Sequence, residues 1–333
     1  MKTVSIIIPV YNAEAYIKQC FANICNQTYT HSAIECVFID DGSKDHSVEL
    51  IKKQISENES NISLRLISHK KNEGVSIARN TGINEAKNEY IFFLDADDTI
   101  TPDCIQILME ATDIYPDANV ISGNIITKKS GLYHHDATHA FTTEGRSQNL
   151  HDTLLFIYAS YSCNKLIARD FILKHRLYFP VGIPYFEDLH WNIDLARHSH
   201  IMVYLPQITY IYEDVSTSAM NMSSKRTNII ARCYMSLIEK GYSLNEPDNW
   251  TETHLFIFFY IMKLLTMSHF GNINRHDIIK ARRQLVGQSI KMRQPLLFLY
   301  DLQLYQPLRW LSAHKFFRNR SAKLRIWMCS KCK

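Results

Sequence analysis

Tyr90-Ile-Phe-Phe-Leu-Asp-Ala-Asp-Asp98 is the stretch on which the reading of this chain turns. Its first half, Tyr90 to Leu94, is apolar and aromatic, long enough to cross a sheet and too short for a helix, so it reads as a buried strand. Its second half places three acids, Asp95, Asp97 and Asp98, within four positions. An apolar strand that ends this way delivers carboxylates to the carboxyl edge of a sheet, where open α/β sheets bind ligands. On a backbone still extended, Asp95 and Asp97 face the same side. Two carboxylates on one side repel unless a cation lies between them. Hard divalent cations take oxygen ligands, and Mg2+ or Mn2+ uses one or two carboxylates together with phosphate oxygens. The same residues also read as a plain strand end before a helix cap, because Asp-Asp-Thr-Ile-Thr-Pro can open a helix.

Working outward, the neighbouring segments repeat the pattern of strand, polar turn and helix. Val4 to Val10 is a β-rich run, Tyr11-Asn12 a turn, and Glu14 to Gln27 a helix with Ile17, Cys20, Phe21 and Ile24 on one face. Ile34 to Ile39 leads through Asp40-Asp41-Gly42-Ser43 to a helix over 45–56. Leu64 to Ser68 leads through Asn72-Glu73-Gly74 to a helix over 75–86. After the central stretch, Thr101 is positioned to cap a helix with Pro102 at its first position, and Val120 to Ile126 is a further strand. This alternation predicts an α/β protein with a doubly wound, mainly parallel sheet. Tyr11, Asp41 and Asp95 then follow the carboxyl ends of three different strands and converge on one crevice.

The remainder is less regular. Residues 128–149 are polar and contain His134, His135 and His139 without regular ligand spacing, which points to a solvated loop rather than a metal site. Order resumes over 156–167. After a turn-rich loop at 179–184, Tyr185 to Asp194 opens a helix with Glu187 and Asp188 in its first turn, where acids are favoured electrostatically. Beyond about Ile230 helical spacing dominates. The chain of 333 residues has a formal net charge of +4, yet from Leu302 onward there are eight basic residues and no acid, so the body is slightly acidic. Hydrophobic content of 46% and charged content of 21% describe a globular protein rather than a disordered or membrane-embedded one. Lys2 precedes only a short apolar run broken by Pro9, and no run reaches about 18 apolar residues, so neither an export signal nor a membrane span is expected. The cysteines are scattered and expected to be thiols; Cys329-Ser-Lys-Cys332 lacks the second pair that a zinc site needs.

Four motifs in order carry a resemblance: Val4-Ser-Ile-Ile-Ile-Pro-Val-Tyr-Asn12, Asp40-Asp-Gly-Ser43, Asn72-Glu-Gly-Val-Ser-Ile-Ala-Arg-Asn-Thr-Gly82 and Phe93-Leu-Asp-Ala-Asp-Asp98. Together with Asn164-Lys165-Leu166 and Glu187-Asp188, they make the first two thirds of the chain resemble the family 2 inverting glycosyltransferases of the bacterial surface-glycan type. The resemblance implies a GT-A fold, with 1–225 as the catalytic domain (1–126 the nucleotide-sugar half, 127–225 the acceptor half) and 226–333 as a helical extension. It implies a nucleotide-diphosphate sugar donor, a UDP-sugar above all, and a glycan or lipid-linked acceptor. The turn at Pro9, Tyr11 and Asn12 would hold the base, and Asp41 would accept a hydrogen bond from it. Arg79 would reach toward base and phosphates, with Gly74 allowing close approach. Asp95 would contact ribose and metal, and Asp97 would bind Mn2+ or Mg2+ directly. Asp188 would be the general base, with Glu187 beside it orienting the acceptor.

The chemistry stands without the family: a departing diphosphate needs its charge neutralised, and an acceptor hydroxyl needs a carboxylate to take its proton. Lys165 has no assigned role. One departure is the segment Tyr210-Ile-Tyr-Glu-Asp-Val-Ser-Thr-Ser218, acidic where the family often has a basic residue; Lys225 or Arg226 could substitute. Two other readings compete. A sugar-nucleotide nucleotidyltransferase would want a glycine-rich basic loop after the first strand, where Pro9-Val-Tyr-Asn12 stands. A non-catalytic scaffold would be expected to lose the acids that are present. The tail 309–333, basic and aromatic, suggests peripheral docking on an anionic inner membrane face from the cytoplasm; nothing else in the chain supports nucleic-acid binding.

Overall fold

Val4–Val10 forms strand β1, with Ile6, Ile7 and Ile8 fully buried. A continuous apolar run can be satisfied only by burial on both faces, and each such side chain contributes about 1.5–3 kcal/mol. Ile34–Asp40 (β2) is buried along its whole length and lies parallel to β1, with Val10 opposite Asp40. Ser63–Ser68 (β3) adds outside β2, and Tyr90–Phe93 (β4) pairs with the other side of β1, both in parallel. In this computed structural model residues 1–128, 141–144, 161–183 and 187–213 are described. The chain divides into two units, Met1–Asn221 and Met222–Lys333, and every described residue belongs to the first. The helical region expected over 226–333, the three histidines of the 128–149 segment and the tail lie outside the described residues.

Side chains alternate across β1. Ile6 and Ile8 join the core with Ile17, Cys20, Phe21 and Ile24 of Glu14–Cys25 (α1), and α1 packs on Ser47–Ser56 (α2). Ile7 meets Val75–Glu85 (α3): a Cβ on Gly82 would come within 2.2 Å of its Cγ2. Glycine at that position lets α3 lie directly on β1, which brings the residues one turn earlier to the sheet's carboxyl edge.

Thr99–Ile100 (β5), Cys104–Ile114 (α4) and Val120–Thr127 (β6) follow. The helix expected from Pro102 begins at Cys104, because its cap comes from a distant residue. The Gln27 side-chain oxygen accepts the Ile105 N–H at 3.1 Å, while its Nε2 donates to the Thr101 carbonyl at 2.9 Å. Phe141–Glu144 (β7), Lys165–Ala168 (β8), Arg169–His175 (α5), Glu187–His198 (α6) and Ile201–Tyr212 (β9) complete the described elements. The nine-stranded sheet runs β3-β2-β1-β4-β8-β6-β9-β5, with β7 paired to β9. β6 and β9 are parallel to each other, whereas β8 is antiparallel to both β4 and β6, and β5 and β7 are antiparallel to β9. Six strands therefore share one direction, so the sheet is mainly parallel. The reversal at β8, unanticipated from the alternation, inserts the Asn164-Lys165-Leu166 motif beside β4.

Candidate active site

The turns after β1 and β2 are stapled together. Asn12, in left-handed conformation (φ 50), accepts the Lys44 N–H at 2.8 Å and donates its own N–H to Ser43 Oγ at 3.0 Å. Pro9 is half-buried, and the Tyr11 ring is 49% exposed at the sheet edge. Gly42 (φ +72) turns the chain against the next loop; a Cβ there would stand 2.6 Å from the Lys71 carbonyl carbon. Asp41 is buried, and its carboxylate organises the β3–α3 loop. Oδ1 accepts from His69 Nδ1 and the Glu73 N–H, each at 2.9 Å, and Oδ2 accepts the Gly74 N–H at 2.8 Å. A carboxylate offers about four acceptor directions, so one direction on Oδ2 is left after these three.

The acids after β4 are arranged differently from the extended reading. The strand ends at Phe93, and the Asp98 N–H donates to the Asp95 carbonyl at 3.1 Å, closing a turn. Asp95, Asp98 and Cys163 consequently converge, with ligand atoms within 4.8 Å of one another, and Asp97 is not in that group. Asp98 is a buried anchor for β9: its carboxylate accepts the Tyr210 hydroxyl at 2.7 Å and the Glu213 N–H at 2.9 Å. Burial, with the Asp95 charge, pushes its carboxyl up to about 8. Burial also holds the Cys163 thiol well above the usual range. Asp97 is half-buried, and its carboxyl carries no hydrogen bond or ion pair to another described side chain. Burial and the charge of Asp95 raise it to about 6. A carboxylate with no side-chain partner among the described residues, destabilised by burial and by a second carboxylate, is a hard oxygen donor set that fits Mg2+ or Mn2+.

Arg79 links this edge to the acids of α6. One terminal nitrogen of its guanidinium meets Asp95 Oδ1 at 3.0 Å and the other meets Glu187 Oε1 at 3.0 Å, with the arginine side chain only 6% exposed. The group lies 5.2 Å over the Phe179 ring, which stacks on Trp191 at 4.4 Å; Phe93 packs edge-on against both. Asn80 fixes the loop that carries Phe179. Its Nδ2 donates to the Phe179 carbonyl at 2.9 Å and its Oδ1 accepts the Phe179 N–H at 2.8 Å. Arg79 and Asn80 thus tie α3 to the chain leading into α6. Arg79 is committed to two carboxylates in this arrangement.

Asp188 and Glu187 occupy the first turn of α6, both half-buried. Burial and the adjacent Glu187 charge push the Asp188 carboxyl up to about 7, against the opposing pull of Arg79 and Lys165 and the Leu189 N–H at 2.7 Å. A carboxyl near neutrality suits a general base.

Several participants were given no role from sequence: Asn80, Phe179, Trp191, Asp98 and Tyr210. Asn80 and Phe179 are neutral residues whose value lies in a contact across 99 positions, which no local pattern displays. The acidic character of the segment after Tyr212 is partly absorbed: Glu213 accepts from Lys128 Nζ at 2.9 Å and Thr99 Oγ1 at 3.2 Å. Residues 214–218, Lys225 and Arg226 lie outside the described residues.

Residues 5–173 match the Glycosyl transferase family 2 profile. EpsH of Bacillus subtilis (strain 168), named as a glycosyltransferase, is 30% identical over 252 residues, 74% of this chain and 67% of EpsH. Among solved structures, S. aureus TarS 1–349 in complex with UDP-GlcNAc superposes with a TM-score of 0.69 at 17% identity, covering 95% of this chain and 92% of that one. The mannosyltransferase PcManGT from Pyrobaculum calidifontis, in complex with GDP-Man and Mn2+, superposes at 0.58 with 16% identity, covering 98% and 87%. These likenesses establish the GT-A fold. With a family profile spanning half of its length and the strand-end acids, Arg79 and the α6 acids in one cluster, the chain belongs to glycosyl transferase family 2.

Proposed function

We propose that this glycosyltransferase moves a sugar from a UDP-sugar to a hydroxyl of a glycan or lipid-linked acceptor, with inversion, in the synthesis of polysaccharide, capsule or lipopolysaccharide. The observation that carries the reading is the Asp188 carboxyl, raised to about 7 and joined through Glu187 and Arg79 to Asp95 by two contacts of 3.0 Å each. Asp188 takes the proton of the acceptor hydroxyl as that oxygen attacks the anomeric carbon. Glu187, held by Arg79, orients the acceptor. The nucleoside diphosphate departs from the opposite face, so one displacement inverts the configuration. Asp97 and Asp95 would hold Mn2+ or Mg2+, which when bound neutralises charge on the departing diphosphate. The ring of Tyr11 and the backbone at Pro9 pack the base, Asn12 and Gly74 shape its pocket, and the remaining acceptor direction of Asp41 receives an N–H from the base, as the imide of uracil offers. TarS with bound UDP-GlcNAc and the mannosyltransferase with GDP-Man and Mn2+ support this class of donor and cofactor.

The proposal takes 1–225 as the catalytic region and 226–333 as a helical extension whose segment 309–333 docks on the anionic inner face of the membrane. Its support is the run of basic and aromatic side chains without an acid. Among the described residues, no helix is long and apolar enough to cross a membrane.

The test is a panel of nucleotide sugars incubated with Mn2+, following release of the nucleoside diphosphate and the anomeric configuration of the product by NMR. Release from a UDP-sugar with an inverted product is expected. A retained configuration, or release that is unchanged in Asp188→Asn, would overturn the mechanism.

A further inference from the structure

Lys165 is 1% exposed on β8. Burying an ammonium costs several kcal/mol unless partners compensate it, so its place in the fold asks for a reason. Its Nζ donates to the Tyr161 carbonyl. The same carbonyl accepts from Asn192 Nδ2 at 3.3 Å, and that amide also donates to the Asp188 carbonyl at 2.8 Å. A short chain of contacts therefore runs from a rigid central strand to the turn of α6 that bears the acids.

We propose that Lys165 is a positioning residue for Asp188: through the Tyr161 carbonyl and Asn192 it fixes the first turn of α6, and its buried positive charge stands behind the carboxylate that receives the acceptor proton. The inference rests on the reading of Asp188 as the base. Among the described residues, the charged groups facing Asp188 are Glu187 from its own helix, Arg79 from α3 and Lys165 from β8, and those facing Lys165 include Cys163 and Asp188. The Cys163 thiol is held well above its usual range and stays neutral. Of these two, Asp188 is thus the anion that Lys165 faces. Burial takes the lysine down to about 8, and Asp188 draws it back upward. In return Lys165 lowers Asp188, opposing the burial that takes it to about 7. Without that charge the base should titrate at higher pH and be more protonated at neutrality.

The experiment is the pH profile of kcat for the full chain, for Lys165→Met and for Lys165→Gln, with KM for the donor measured alongside. Lys165→Gln keeps a donor for the Tyr161 carbonyl and removes only the charge. Both variants should shift the acid limb to higher pH by about half a unit or more, which lowers kcat at pH 7 about twofold or more, and Lys165→Met, which also loses the donor to Tyr161, should fall further. Donor KM should stay within about twofold if the chain through Tyr161 and Asn192 acts on the base alone. Asn192→Ala, which severs the link but spares the charge, should lower kcat with the acid limb in place; a normal kcat there overturns the positioning chain even if neither lysine variant folds. An unmoved limb in folded Lys165→Gln, with Asp188→Asn inactive, overturns the inference alone. Full turnover in folded Asp188→Asn instead removes the base reading on which it stands.

Discussion

Replacing Arg79 with methionine should destabilise the protein and slow transfer together, and the size of the first effect can be worked from the contacts. The guanidinium makes two contacts of 3.0 Å, to Asp95 and Glu187, whose side chains are 30% and 14% exposed. Removing one partner of a buried ion pair costs about 3–5 kcal/mol, because the charge left behind stays desolvated. Water reaching Asp95 recovers part of this, so about 2–3 kcal/mol is expected. In a folded unit of this size each kcal/mol moves Tm by about 2–4 °C, giving a drop of roughly 4–12 °C at pH 8. The sign with pH follows from the carboxyls. Without Arg79, which lowers it, the Asp188 carboxyl rises further above its unfolded value. A raised carboxyl has its full relative stability below the unfolded pKa and loses it as pH rises through the folded one. The deficit of Arg79→Met should therefore shrink on going from pH 8 to pH 5, read by calorimetry on both proteins. Arg79→Lys should fall between the two, since one ammonium keeps the charge and cannot span both carboxylates. A Tm within 1 °C of the parent at pH 8, or an equal deficit at both pH values, would refute the reasoning.

Asp188→Asn should lower kcat by roughly 100-fold or more, the scale of general-base loss, with nucleotide affinity nearly unchanged by calorimetry, and the parent's kcat should fall on acidification through about pH 7, where its carboxyl takes up a proton. Asp97→Asn should abolish transfer without changing the circular dichroism spectrum; because this carboxyl sits at about 6, Mn2+ affinity measured by titration calorimetry should fall about tenfold per pH unit below that value as one proton competes with the cation, and a pH-independent affinity would count against its role as ligand. A chain ending at Gln306 should lose binding to anionic vesicles at low salt while the intact chain is released by high salt; equal sedimentation of both would exclude the tail as the docking element.

The sheet was legible because its strands carry their signal locally. Val4–Val10, Ile34–Asp40 and Tyr90–Phe93 are apolar runs between polar turns, and burial on both faces is what such runs require. β9 was not legible: Pro206 interrupts it, and its pairing with β6 shifts register twice between Ser122 and Ile125. That strand is held by contacts from elsewhere, such as Asn124 Nδ2 to the Pro206 carbonyl at 2.9 Å. The start of α4 was misplaced for a similar reason, since Gln27 caps it from 78 residues away. At the site, the acids could be named because carboxylates clustered at a strand end are conspicuous. Their partition could not be, because it depends on where the strand stops. Two residues of extended chain would have paired Asp95 with Asp97; the turn at Asp95–Asp98 instead buries Asp98 under Tyr210 and leaves Asp97 without a side-chain partner among the described residues.

That partition separates structure from chemistry among neighbouring, like-charged residues. Asp98 holds β9 and sits at about 8, so its cost is met by two donors that also fix the sheet. Asp97, two residues past Asp95, has no such donors and sits at about 6. Asp95 shares Arg79 with Glu187, and Asp188 shares the influence of Arg79 with Lys165. Five carboxyl groups thus face two buried cations, and the shortfall shows in the raised carboxyls of Asp97, Asp98 and Asp188. A cation held at Asp97 would relieve repulsion on Asp95 and weaken its claim on Arg79, leaving Arg79 to hold Glu187 more tightly. On the proposed roles, metal occupancy and acceptor-side order would be coupled through one guanidinium. Mn2+ should accordingly protect the α6 amides from hydrogen exchange in the parent and fail to do so in Arg79→Met; equal protection in both would show that the two halves of the site act independently.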